Sequence, residues 1–448
     1  MKKEQDMTSG TIGRQILMFA LPLMFGNVFQ LLYNTVDSIV VGNFVGTQAL
    51  AAVGSTSMIT NLAIFFFNGF STGAGVVISN AYGAEDWKRL HTAVETAVTT
   101  TFICCALFTF LGIRSVNFML RLMDTPDDVF DQAAVYLVIY FAGVSGLLLY
   151  NMGSAILRAV GDSRRPLILL IITSIANIFL DLQFVLQFGL GIAGVAYATI
   201  IAQGISAAAV MFLLTVEKGE FRFVWKDIQI NRAEFGNIMK IGLPTGIQSV
   251  ITSFSNVFVQ GYINYFGSTI MASWSCYNKV DSFIFLPVQS MAMAATTFVG
   301  QNNGAKKIDR VNKGTKVSVY MSLVLTLATS AVIWIVAPQT IELFTDDPAV
   351  VTSGAMFVRM NCFFLLPNDV NHVLAGCLRG RGDSIGPMVI MLIGFVAVRQ
   401  TYLFFITRFV MNTAQVVGFG YPVGWMATCT MEVLYFLKHW KRREAAAA

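Results

Sequence analysis

Long apolar runs recur along the chain, each ended by a short polar stretch, and twelve of them are long enough to cross a bilayer as helices. They fall at residues 12–41, 49–80, 90–112, 129–156, 165–188, 192–216, 235–264, 269–300, 314–337, 350–376, 386–409 and 415–437. Several exceed one bilayer thickness, so they are expected to tilt or to extend into water rather than to cross twice. An even number of spans returns the chain to its starting side. The pattern predicts an all-α membrane protein with twelve transmembrane helices.

Composition sharpens this. Of 448 residues 55% are hydrophobic and only 12% charged, about half the charge of an ordinary soluble domain, which excludes a soluble enzyme. The polar stretch from Met1 to Arg14 is followed by an apolar run too long for a cleaved signal peptide, so the first helix is expected to stay. The six cysteines show no CxxC or metal spacing and are expected to serve as small apolar residues.

Charge orients the spans. Of the 30 Lys and Arg residues, 24 fall on the side of the N-terminus, among them Lys2, Lys3, Arg158, Lys313, Lys441, Arg442 and Arg443. The opposite side holds Arg114, Arg121 and Arg408 together with Asp124, Asp127, Asp128, Asp131, Glu342, Asp346 and Asp347. The positive-inside rule therefore predicts cytoplasmic termini, and the net charge of +5 follows from topology, with no nucleic-acid partner expected.

The chain is also duplicated. Leu157, Arg158, Gly161, Asp162, Ser163 and Pro166 reappear 221 residues later as Leu378, Arg379, Gly382, Asp383, Ser384 and Pro387. The same offset of 221 relates Gly83-Ala84 to Gly304-Ala305, Arg89 to Arg310, Leu122 to Leu343 and Val129 to Val350, and an offset of 222 relates Leu21-Pro22 to Leu243-Pro244. Six spans separate equivalent points, which keeps orientation, so the expected architecture is two parallel six-helix repeats around a central cleft. The predicted division is a cytoplasmic tail over 1–14, an N-lobe over 15–216, a cytoplasmic linker over 217–234, a C-lobe over 235–437 and a second tail over 438–448. In the repeated GDS loop, Gly suits a left-handed residue after a helix, Asp or Ser a cap for the next helix, and Pro its first turn. That structural role outweighs phosphate binding, because no P-loop lysine accompanies the glycine. Pro22 and Pro244 each remove a backbone hydrogen bond early in a span, so Pro22 is expected to let the first helix bend.

Twelve spans in two parallel sets, the segment ALPLMFGNVFQLLYNTVDSIVVG, the duplicated LRxxGDSxxP and the segment NIFLDLQFVLQFGLGIAGVAYATIIAQG together resemble the multidrug and toxic compound extrusion (MATE) family, in its prokaryotic branches. The resemblance covers nearly the whole chain. It implies a secondary antiporter in a bacterial plasma membrane that exports small organic, often cationic, compounds in exchange for Na+ or H+, with no other cofactor. A monomer is expected. The 37 Phe and 21 Met residues suit a cavity that accepts varied flat or cationic molecules. The resemblance also implies kinship with lipid-linked precursor flippases, an alternative function that would favour a cleft lined by basic residues.

Ionisable groups deep in spans are costly, and few persist here. Asp37 lies deep in the first span and Asp181 in the fifth, with Asn177 one turn earlier on the same face. Two carboxylates and an amide supply hard oxygen ligands for sodium, or share one proton. The alternative is that they only tie helices together. The MATE pattern places its N-terminal-half cation site on residues matching Asp37, Tyr136, Asn177, Asp181 and Thr199, while Tyr136 also reads as an interfacial aromatic and Thr199 as a bond to its own helix.

The second half differs in chemistry. The positions equivalent to Asn177 and Asp181 are Val398 and Tyr402, beside Arg399, and the seventh span has no acid in IQSVITSFSNV, where some MATE members carry a glutamate. Asp369, flanked by Asn368 and Asn371, and Arg399 form a candidate second polar site. A structural ion-pair network including Lys279, Asp281, Arg359 and His372 is the competing expectation. No HExxH, GxSxG or paired-histidine motif supports an intramembrane enzyme, and the chain has only three histidines.

Overall fold

The computed structural model describes residues 6–447. Lys2, Lys3 and Ala448 of the expected tails lie outside the described residues, as do the side chains of Lys441, Arg442 and Arg443. Among the described residues there is no strand.

Nine long helices come first: α1 Ile12–Val40, α2 Thr47–Gly83, α3 Trp87–Leu122, α4 Asp127–Ala159, α5 Arg164–Leu182, α6 Gly191–Val216, α7 Arg232–Asn264, α8 Ser268–Gly304 and α9 Ile308–Ile335. After a single turn, α10 Ala337–Glu342, the last three expected spans are each interrupted. The tenth is α11 Pro348–Asn361 and α12 Leu365–Gly380 around a 3-10 turn, because Pro367 has no N–H and crowds the carbonyl of Phe363. The eleventh is α13 Ile385–Met391 and α14 Arg399–Phe405, joined by a π-helical stretch over Leu392–Val398. The twelfth is α15 Ala414–Gly418 and α16 Gly420–Ala447, where Pro422 crowds the carbonyl of Gly418 in the same way.

Among the described residues, ten segments are long and apolar enough to cross a membrane. The other two expected spans, α7 and α15 with α16, fold as helices but are more polar. In α7 that polarity comes from Gln248, Ser249, Thr252, Ser253, Ser255 and Asn256. Helices also overrun the apolar runs, because caps rather than hydropathy end them. The Asp86 side chain accepts the Arg89 N–H at 3.1 Å and Asp347 accepts that of Ala349 at 2.9 Å.

The duplication is written in the backbone. Left-handed residues occur in pairs at the offset of 221: Gly46 (φ 119°) with Gly267 (85°), Glu85 (54°) with Lys306 (56°), and Gly161 (92°) with Gly382 (89°). The third pair is the GDS loop. There Asp162 accepts the N–H groups of Arg164 and Arg165 at 3.0 and 3.1 Å and pairs with the Arg165 guanidinium, while Asp383 accepts the Gly386 N–H at 3.1 Å and the Tyr435 hydroxyl at 2.8 Å.

Two compact units result, one built on Leu21–Leu243, the other on Met7–Ala20 with the chain from Pro244 onward. The divisions fall between Ala20 and Leu21 and between Leu243 and Pro244, beside the repeated Leu-Pro pairs. Within the second unit Arg310 holds the residues before α1, donating to the carbonyls of Met7, Ser9 and Gly10 at 3.1, 2.9 and 2.8 Å. Within the first unit its repeat-mate Arg89 holds the start of α7 through Glu234 at 3.0 Å. Close packing needs small residues here: a Cβ on Gly73 of α2 would stand 2.5 Å from the Ile238 carbonyl of α7. The linker before α7 is pinned to α3, where the buried Glu95 accepts the Val224 N–H at 2.8 Å and Thr96 that of Asn231 at 3.0 Å.

Candidate functional site

Asp37 and Asp181 meet within the first unit. Each stands near the C-terminal end of its helix, where α1 and α5 pass into five-residue π turns, Val41–Val45 and Gln183–Gln187, and these turns touch. Such widened turns re-aim side chains and recur at functional positions. The two carboxyl groups come within hydrogen-bonding reach of each other. Asp37 Oδ1 and both Asp181 oxygens find no protein donor. Asn177, one turn earlier on α5, is 1% exposed, and neither its Oδ1 nor its Nδ2 is paired.

Tyrosines wall this group. Tyr33 precedes Asp37 by one turn of α1, and Tyr136 and Tyr140 on α4 stack at 6.2 Å. Tyr33 and Tyr136 each lie within electrostatic reach of both carboxylates. Tyr33 and Tyr140 were not singled out from the sequence. Their signal was present, since Tyr33 with Asp37 and Tyr136 with Tyr140 are spaced for one helix face. Thr199 is buried in α6, where its hydroxyl donates to its own helix at the Val195 carbonyl, 3.0 Å away.

An uncompensated buried carboxylate costs several kcal/mol, roughly, so two adjacent ones demand a cation or a proton. No group of three or more His, Cys, Asp or Glu side chains among the described residues is arranged to hold a metal ion. The available ligands are two carboxylates, an amide and phenolic oxygens. This hard, weakly charged set fits sodium or a shared proton and does not suit a soft transition metal.

The second unit is organised otherwise. Asp369 on α12 is fully buried and satisfied, accepting from Ser322 and, at 3.2 Å, from Thr326, both on α9. Its neighbours Asn368 and Asn371 are buried and carry unpaired atoms. Arg399 on α14 has different partners. Its guanidinium lies over the Phe395 and Tyr421 rings at 5.3 and 5.0 Å and donates to Asn256 Oδ1 at 3.0 Å, while Nε is unpaired. Lys279 lies over Phe344 at 4.9 Å, Arg359 over Trp334 at 5.6 Å, and His372 packs edge-on against Phe285 at 4.9 Å. The expected ion-pair network gives way to rings, because cations here face aromatic walls rather than carboxylates. Asp281 accepts only a long bond from Tyr277, 3.4 Å. Glu432 on α16 was overlooked in the sequence: it is fully buried with both carboxylate oxygens unpaired, in electrostatic reach of Arg379.

Comparison with known proteins agrees with this organisation. The chain is 28% identical over 444 residues to "Probable multidrug resistance protein YpnP" of Bacillus subtilis, covering 98% of each. Its fold matches that of a MOP superfamily transporter from Pyrococcus furiosus, with a TM-score of 0.93, 21% identity and 98% of each chain covered. It also matches a MATE structure in a bent conformation, with a TM-score of 0.93, 21% identity and both chains fully covered. The MatE family model matches residues 22–183 and 244–400, two segments that begin at the repeated prolines. The chain therefore belongs to the MatE family, multidrug efflux transporters of the membrane that carry small molecules and are not enzymes.

Proposed function

We propose that the protein is a monomeric antiporter of the bacterial plasma membrane, with both termini cytoplasmic, exporting small organic cations in exchange for Na+ or H+ taken up at Asp37, Asn177 and Asp181. The observation that carries this reading is the adjacency of the buried Asp181 and the half-buried Asp37, with Asp37 Oδ1 and both Asp181 oxygens satisfied by no protein donor. A group in that condition has a strong affinity for positive charge from solvent and little affinity for neutral molecules. Tyr136 and Tyr33 supply phenolic oxygens beside the carboxylates, and Thr199 on α6 is a further candidate ligand. When a cation enters, repulsion between the acids is relieved, and α1 can draw toward α5. Pro22 is the point where α1 lacks a backbone hydrogen bond and yields most easily. Cation binding thereby selects among conformations of α1, which is how an ion gradient is turned into export.

The test is substrate flux in proteoliposomes under separately imposed sodium and proton gradients. Uphill movement of a cationic dye under one gradient, lost when that gradient collapses, is expected. Equal flux with no gradient would contradict the antiport reading. Orientation is tested in a cysteine-free background: cysteines at Lys313 and Arg442 should resist an impermeant thiol reagent outside intact cells, while one at Asp127 should react.

A further inference from the structure

Between α3 and α4 an open groove of about 550 Å³ runs along the outer surface of the first unit, within the size range of ligand clefts. It is lined by Cys105, Ala106, Thr109 and Phe110 from α3 and by Ala142 and Ser145 from α4. Within the same stretch the two helices pack closely, since a Cβ on Gly112 would stand 2.3 Å from the Phe141 ring. One end of the groove carries Arg114, an exposed residue with no hydrogen-bond or ion-pair partner among the described residues.

The position of Arg114 fixes what such a groove meets. Residues 96–113 of α3 are an uncharged run of 18, roughly 27 Å of helix at 1.5 Å per residue, which is close to the thickness of a hydrocarbon core. Arg114 thus marks one hydrocarbon edge, and the groove descends from it by about nine residues, the depth of roughly one leaflet. Thr109 lies about 7 Å below Arg114 along the axis, and its hydroxyl is buried without a partner. We propose that this groove is a binding site for an anionic phospholipid, with the phosphate on Arg114 and an acyl chain over Ala106 and Ala142. A zwitterionic headgroup carries its own cation beside the phosphate and offers Arg114 no net negative charge, and a soluble anion would leave the apolar lining open to water. The cation at the rim and the mainly apolar lining beside it match a phospholipid's headgroup and acyl chain.

The site is tested by native mass spectrometry of the purified full-length chain, stripped of lipid and titrated with dioleoyl-phosphatidylglycerol or dioleoyl-phosphatidylcholine. One adduct of phosphatidylglycerol should persist with a preference of about fivefold, the effect of one cation at the membrane surface. Arg114→Gln should abolish the preference and Arg114→Lys should keep most of it. Ala106→Phe, at an exposed position that tolerates bulk, should remove the adduct for both lipids, while Arg121→Gln, outside the groove, should leave binding as in the wild type. Monodisperse elution of each variant establishes that it is folded. An undiminished preference in Arg114→Gln, an equal loss in Arg121→Gln, or a retained adduct in Ala106→Phe would overturn the proposal.

Discussion

The two halves share a backbone and part ways at the same place. In the first, Asp37, Asn177 and Asp181 carry oxygen atoms that lack protein partners, beside Tyr136. At the repeat positions in the second, Val259, Val398, Tyr402 and Phe357 stand instead. The Tyr402 hydroxyl is satisfied by the Val416 carbonyl at 3.1 Å, and Phe357 packs against Trp274 at 5.1 Å, which in turn stacks on Tyr421 at 5.3 Å. A cation is present there too, but it belongs to the chain: the Arg399 guanidinium rests on Tyr421 and Phe395. Duplication thus preserved left-handed residues and helix ends while the ligand chemistry diverged. One half offers negative groups to an exchangeable cation, and the other holds a tethered cation among rings. The proposed antiport needs only one exchangeable site, and under that reading the first half would hold it.

The largest effect that would sharpen the contrast lies in the acids. Asp37→Asn and Asp181→Asn should each reduce uphill export to leak rates, with the double variant scarcely worse, as residues acting as a unit behave. Normal uphill export in either single variant would remove that acid from the site. Next comes Tyr136→Phe, which makes the first half resemble the second at Phe357. It should lower gradient-driven dye export by about tenfold, the equivalent of one strong hydrogen bond to a charged group, while leaving the apparent melting temperature unchanged.

Smaller effects are expected of stability alone. Arg310→Ala removes several bonds from the segment before α1 and should cost about 3 kcal/mol. Its mate Arg89, 38% exposed in a single pair with Glu234, should cost at most about 1 kcal/mol. Melting of the purified variants should rank them in that order, and a reversal would mean that the two clamps are not alike in the way the repeat suggests. Ser322→Ala deprives Asp369 of one donor and should lower stability by about 2 kcal/mol without altering export per folded molecule. Loss of coupling in that variant would make Asp369 a second cation site and weaken the contrast between the halves.

Much of this was legible in the sequence, for physical reasons. Helices in lipid must be long and apolar, so the runs reveal them, and a duplicated loop keeps its Gly and Asp because the backbone demands them. Asp37, Asn177 and Asp181 stand out because charge in a span is rare. What stayed hidden depends on the facing helix. Tyr33 and Tyr140 look like any membrane aromatic until α1 and α4 meet, and of the two rings under Arg399 only Phe395, one turn earlier, is a sequence neighbour, while Tyr421 comes from the next span. Glu432 resembled the end of a span in sequence, yet its carboxylate is enclosed. The breaks near Pro367 and Pro422 were readable from proline chemistry, whereas the π turns after Asp37 and Asp181 carry no residue signature.

The central claim is that a cation binds to the acid pair of the first half and nowhere equivalent in the second. It is tested most directly by counting radioactive sodium bound and protons released or taken up, on one sample of purified protein, for the wild type and the Asp37→Asn/Asp181→Asn double variant. The account predicts a saturable cation exchange in the wild type that vanishes in the folded double variant. Undiminished exchange in the double variant would contradict it.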